Sequence, residues 1–180
     1  MKPMQKKTWK KVWALLLLCL PAQAAGLQVR ADRVEGASTI TDWGSGVYVG
    51  KFHVLTCAHV IEDGQKVFIK VSDGWAQCKV LKVDKANDLA LLETRVQGDA
   101  VEFVNIPSMV VSGSPRGTPV RETSAGIDGA IVRAAIDVGD SGAPVTVEGR
   151  LIGIVKSKVV MADEVHAKII GADKIAEFLK

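Results

Sequence analysis

The chain of 180 residues is predicted to be an all-β barrel protein in two halves, closed by one short helix. Two observations predict this. Apolar residues fall in short runs, Val47–Val49, Phe52–Leu55, Val67–Val71 and Cys78–Val83 among them, in a chain punctuated by Gly, Asp and Pro turn signals. Within a run the side chains alternate, so Cys78, Val80 and Lys82 are expected to share one face of a strand.

Each element follows in order. Gly50-Lys51 makes a hairpin between the first two runs, and Ser72-Asp73-Gly74 a second one. Asp88 opens the next strand, Leu89–Leu92. Residues 93–107 cross to the second half, with strands expected near 108–112, 118–125, 129–135, 143–147, 150–156 and 164–170. After Gly171, residues 172–179 carry apolar side chains at helical spacing, which predicts an amphipathic helix packed on the second half.

The first 24 residues are read as a secretory signal peptide and not as part of the fold. Lys2, Lys6, Lys7, Lys10 and Lys11 form a positive start, Val12–Leu20 is apolar but short for a bilayer, and Ala22-Gln23-Ala24 is a cleavage pattern. The whole chain is +3; without those five lysines the mature chain, residues 25–180, is near −2. A nucleic-acid partner is therefore not expected, and neither is a stable membrane anchor. The mature length suits one compact domain or two small subdomains sharing a core.

Three pieces carry chemistry. Gly139-Asp140-Ser141-Gly142 is a tight turn around a serine, and upstream stand Ala58-His59 and Asn87-Asp88. A serine hydroxyl is a poor nucleophile at neutral pH until a base takes its proton. The imidazole of His59 suits that task, and a buried carboxylate at Asp88 would fix its tautomer. Asp88 precedes an apolar strand, where a charge needs a partner; Asp84 and Glu93 are its rivals. Backbone amides of Gly139 and Ser141 are candidates for stabilising an oxyanion. Cys57 and Cys78 are an even pair in an oxidising compartment, which suggests a disulfide; two buried thiols are the alternative. No cofactor is called for, and the cysteines and histidines lack metal-ligand spacing.

The order His59, Asp88, Ser141, together with Gly44-Ser45-Gly46-Val47, Ala58-His59-Val60, Asp88-Leu89-Ala90-Leu91-Leu92 and Gly139-Asp140-Ser141-Gly142-Ala143-Pro144, resembles the trypsin-like peptidases. Ser112–Gly117 and Leu151–Val155 resemble their compact bacterial HtrA-type branch. The resemblance covers roughly residues 40–180. It implies two packed six-stranded antiparallel barrels of chymotrypsin type, about 40–100 and about 107–180, with the site in the cleft between them. It implies a serine endopeptidase acting on protein or peptide substrates through an acyl-enzyme. It also places Ala135, six residues before Ser141, at the pocket floor, and Lys156 with Lys158 on a pocket wall. An alanine floor favours small or aliphatic side chains, whereas the lysines would recruit charge. Three features depart from the pattern: Asp140 stands where HtrA domains usually carry Asn, no Ile-Val-Gly-Gly-like start is present, and no PDZ-sized segment follows. The competing expectations are a protease-fold binding protein and an acyl-ester hydrolase using the same residues.

Overall fold

The computed structural model describes residues 26–64, 66–103, 123–126, 129–133, 136–147, 149–161 and 163–180. The leader, the strand expected near 108–112, the turn Ser112–Gly117 and Ala135 lie outside the described residues.

Six strands close the first barrel in the order β1-β2-β3-β6-β5-β4: β1 Leu27–Glu35, β2 Ser38–Gly50, β3 His53–Cys57, β4 Lys66–Val71, β5 Gly74–Asp84 and β6 Leu89–Glu93. The barrel begins well before residue 40. β1 pairs along its length with β2 and also with β4, Val29 opposite Ile69, and that second pairing closes the ring. Closure removes unpaired strand edges. Both hairpins form where the turn residues foretold them, β2–β3 around Lys51-Phe52 and β4–β5 around Ser72-Asp73. The expected alternation in β5 fails after Cys78. The register with β6 slips at Leu81, between the pairs Val80–Leu92 and Lys82–Leu91, and residues 79–83 are all exposed. Such a bulge turns successive side chains off the pleat.

The second half is a five-stranded antiparallel sheet in the order β7-β8-β11-β10-β9, with β7 Thr123–Gly126, β8 Gly129–Arg133, β9 Pro144–Val147, β10 Arg150–Met161 and β11 Glu164–Gly171. Among the described residues this sheet has five strands and is open; the strand expected near 108–112 and most of the one near 118–125 fall outside the described residues, so a closed second barrel is not shown. β10 and β11 lie between two cores. Ile154 and Ile170, paired across the strands, pack with Leu55, Leu89 and Leu92 of the first barrel. Their neighbours Val155 and Ile169 pack with Val132, Ala143 and Val145. The period of two sends alternate residues to opposite faces, so one hairpin seals both halves.

The helix α1 is a single turn, Ala58–Ile61, and α2 runs from Ala172 to Phe178. The sequence places α2 on the second half; the structure sets it across the junction. Ile175 and Phe178 are buried in the first barrel's cluster, and Lys82 of β5 donates to the Phe178 carbonyl at 2.5 Å. The Lys82 ammonium also lies 4.9 Å from the Phe178 ring centroid.

The expected disulfide is corrected: Cys57 and Cys78 are free, buried thiols. Cys57 pairs with Leu89 at one end of β6, whereas Cys78 adjoins the Lys79–Glu93 pair at the other. Four strand steps at about 3.3 Å each separate those ends, beyond the roughly 7 Å between Cα atoms that a disulfide spans.

Candidate active site

β3 is buried from Val54 to Cys57 and runs directly into α1. Ala58, Val60 and Ile61 anchor that turn in the core, which leaves His59 facing outward. Asp88 closes the turn between β5 and β6 with φ of +61°, a conformation that Asp tolerates better than most residues. From there it holds the start of α1. Its carbonyl accepts from the Ala58 amide at 3.1 Å, and its Oδ1 accepts from the His59 amide at 3.0 Å. Cys57, at the N-cap position, makes no side-chain cap bond, so Asp88 supplies the cap from another strand.

The same carboxylate meets the imidazole. His59 Nδ1 lies 3.0 Å from Oδ1 and 2.9 Å from Oδ2. Burial alone would raise the Asp88 carboxyl, but the His59 hydrogen bonds and charge, with Lys156 nearby, outweigh it and hold the group below the usual carboxylate range. An ionised carboxylate can only accept, so Nδ1 is the donor and, in the neutral ring, Nε2 carries the lone pair. A depressed folded value means that Asp88 stabilises the fold above its unfolded value of about 3.9, and that this contribution is lost as pH falls through the lower folded value. Acid unfolding followed by circular dichroism checks this. The stability gap between wild type and Asp88→Asn should be full at neutral pH and shrink in the acid range; a gap unchanged down to pH 2 contradicts the depressed carboxyl.

Ser141 occupies the turn between two glycines of positive φ, Gly139 at +91° and Gly142 at +88°. A Cβ on Gly142 would collide with the Ser45 carbonyl, so the close approach of β2 requires glycine there. The turn is tightly bonded. The Asp137 amide donates to Asp140 Oδ2 at 2.8 Å, the Asp140 amide to the Asp137 carbonyl at 3.2 Å, and the Gly142 amide to the Val155 carbonyl at 2.7 Å. The amides of Gly139 and Ser141 donate to no group among the described residues. Both residues line a cleft of about 510 Å³ together with His59, Asp88, Trp43 and Lys156. Within it the Ser141 hydroxyl donates to the Lys156 carbonyl at 3.4 Å, and no hydrogen bond joins it to His59 among the described residues.

Lys156 reaches this cleft because β10 bulges there: Val155 opposes Ile169 and Ser157 opposes Lys168, leaving Lys156 without a partner residue on β11. It lines the cleft with Lys158, and its charge bears on Asp88. Cys57 lies beside His59 and Asp88, with its sulfur within 4.8 Å of their polar side-chain atoms. It is fully buried, burial pushes its thiol well above the usual range, and the thiol donates to the Val155 carbonyl at 3.2 Å. Sequence reasoning missed two contributors. Trp43, half exposed, forms part of the cleft wall, and Ser45 contacts the serine turn directly. The only signal was the Gly44-Ser45-Gly46 segment, which shows no chemistry of its own.

Comparison with known proteins decides the family. A family model described as a trypsin-like peptidase domain matches residues 44–154. This chain belongs to the trypsin-like peptidases. Its architecture is accordingly an all-β fold of chymotrypsin type, with one closed six-stranded barrel and a short C-terminal helix. Among solved structures it is similar to the active form of Rv3671c protease from M. tuberculosis, with a TM-score of 0.71 at 20% identity, covering 99% of this chain and 92% of that one. The inactive form of Rv3671c protease gives 0.66 at 21% identity, covering 88% of each chain. A curated relative, anti-sigma-I factor RsgI9 from Acetivibrio thermocellus, is 29% identical over 161 residues, 78% of this chain. The chain spans 22% of the length of that relative. Among the described residues no helix is long and apolar enough to cross a membrane.

Proposed function

We propose that this trypsin-like peptidase is an exported serine endopeptidase in which Ser141, His59 and Asp88 act as one unit. The observation that carries the reading is the single cleft that holds Ser141, the Asp88-bonded imidazole, and the Gly139 and Ser141 amides that donate to no described group. In this scheme His59 Nε2 takes the proton of Ser141 Oγ as the oxygen attacks the scissile carbonyl carbon. The imidazolium is stabilised by Asp88, whose carboxylate stays ionised. The new oxyanion accepts hydrogen bonds from Gly139 and Ser141 N–H. His59 then protonates the leaving amine as its C–N bond breaks; water, deprotonated by His59, attacks the acyl carbon, and His59 returns that proton to Ser141 Oγ as the C–Oγ bond breaks and the acid leaves. The hydroxyl's present bond to the Lys156 carbonyl is long for an O–H···O contact, so it costs little to exchange. The leader, residues 1–24, supports export, with Ala25-Gly26-Leu27 at the new N-terminus and no further activating cut.

One experiment tests both parts. Full-length protein is expressed with its leader, recovered from the exported fraction, and treated with a fluorophosphonate before peptide mapping. The expected result is a chain starting at Ala25 with the label on Ser141, and unlabelled enzyme that cleaves a peptide library. An intact leader removes the export reading, and an unlabelled Ser141 removes the serine-hydrolase reading. Label with ester but no peptide turnover would mark an acyl-ester hydrolase.

A further inference from the structure

Ser45 belongs to the first barrel, yet it holds both ends of the serine turn. Its amide donates to the Ser141 carbonyl at 2.7 Å, and its hydroxyl donates to the Gly139 carbonyl at 2.7 Å. Its own carbonyl accepts from Thr56 Oγ1 at 2.7 Å, and Thr56 is fully buried in β3. The clamp is therefore itself anchored in the strand that leads into His59. We propose that Ser45 is a positioning residue for the oxyanion-binding amides, an inference that rests on the serine-peptidase reading above.

The geometry gives the reason. The peptide unit between Gly139 and Asp140 is fixed at both edges, its carbonyl by Ser45 Oγ and its amide by the Asp137 carbonyl. Gly139, at φ of +91°, has no side chain to restrain rotation on either side of its Cα. Nothing else described donates to the Gly139 carbonyl, so the Ser45 hydroxyl, together with the Asp140–Asp137 amide bond, holds the peptide plane next to the Gly139 N–H. The second clamp, on the Ser141 carbonyl, holds the Ser141–Gly142 peptide unit, so the Ser141 N–H is bracketed between two held peptide planes. An oxyanion hole works only if its donors are already aimed when charge develops. A hydroxyl that fixes the aim without touching substrate should act on the transition state and leave ground-state binding alone.

Ser45→Ala tests this cleanly, because it keeps the backbone bond to Ser141 and removes only the bond to Gly139. Loss of a whole oxyanion donor costs about 10²–10³-fold in kcat, and misaiming one should cost roughly 10-fold, with KM unchanged. Affinity for a peptide aldehyde, which forms a tetrahedral oxyanion on Ser141, should fall by a similar factor; affinity for the cleaved product peptide should not. Ser45→Thr, which keeps the hydroxyl, should recover most of the loss. Equal weakening of aldehyde and product would mark a merely structural role and overturn the inference. So would wild-type kcat and aldehyde affinity in Ser45→Ala, if wild-type Ser141 takes the fluorophosphonate label. An unlabelled wild type would instead bring down the serine-peptidase reading, and this inference with it.

Discussion

Ser141→Ala is expected to reduce peptide hydrolysis by about 10⁵–10⁶-fold in kcat, on the scale seen when a serine nucleophile is removed from a working unit. The protein should stay folded. The Ser141 hydroxyl makes one long bond, 3.4 Å to the Lys156 carbonyl, so its loss should cost no more than about 1 kcal/mol. The turn does not depend on that hydroxyl. Its shape comes from Gly139 and Gly142 at positive φ and from the bonds to Asp137, Val155 and Ser45. Circular dichroism and the thermal midpoint of the variant should therefore match wild type while turnover of a cleavable peptide disappears. Residual activity above about one part in a thousand would point to another nucleophile. Cys57 cannot fill the role without first leaving its buried bond to Val155. A variant that unfolds would show instead that the hydroxyl is structural.

The parts of the fold that were legible in the sequence are those governed by local chemistry. Turn residues located both first-half hairpins, and the short apolar runs located β4, β6, β9 and β11 to within a few residues. β1 was missed because Leu27–Glu35 carries alternating charges: Arg30, Asp32, Arg33 and Glu35 obscure the two small buried side chains, Val29 and Ala31. Its place in the barrel comes from pairing with β4, some forty residues away, which no local pattern reports. The placement of α2 was legible only in part, for a related reason. Helical spacing shows that a face is apolar, but not which core receives it, and here β10 and β11 offer a face to each core. The cysteines show the limit of counting. Parity and compartment suggested a bridge, but strand register decides distance.

At the candidate site the sequence yielded side-chain chemistry and missed backbone geometry. His59, Asp88 and Ser141 could be chosen by residue type, order and flanking pattern. The cap that Asp88 places on α1, the bulge that turns Lys156 into the cleft, and the grip of Ser45 on Gly139 all depend on main-chain atoms. Main-chain atoms are the same in every residue, so no residue type announces them.

Asp88→Asn is expected to lower kcat by about 10⁴-fold while preserving the site's shape. The Asn side chain keeps an oxygen that can accept from the His59 amide, so the cap on α1 survives. Its amide nitrogen, however, can donate to His59 Nδ1. The ring then favours the tautomer with its proton on Nε2, and it can no longer take the proton of Ser141. His59→Ala should cost as much or more, because the base itself is gone. The sharper expectation concerns combinations. If His59 and Asp88 act only through Ser141, each becomes irrelevant once the nucleophile is absent. Ser141→Ala combined with His59→Ala and Asp88→Asn should then sit within a few-fold of Ser141→Ala alone. Multiplied losses of 10⁴ per substitution would mean independent contributions, and the three residues would not form one unit. The measurement is single-turnover cleavage of a fluorogenic peptide by the three single variants, the doubles and the triple. Each is checked by its thermal midpoint, because Asp88 also supports α1 and a loss of folding must not be read as a loss of catalysis.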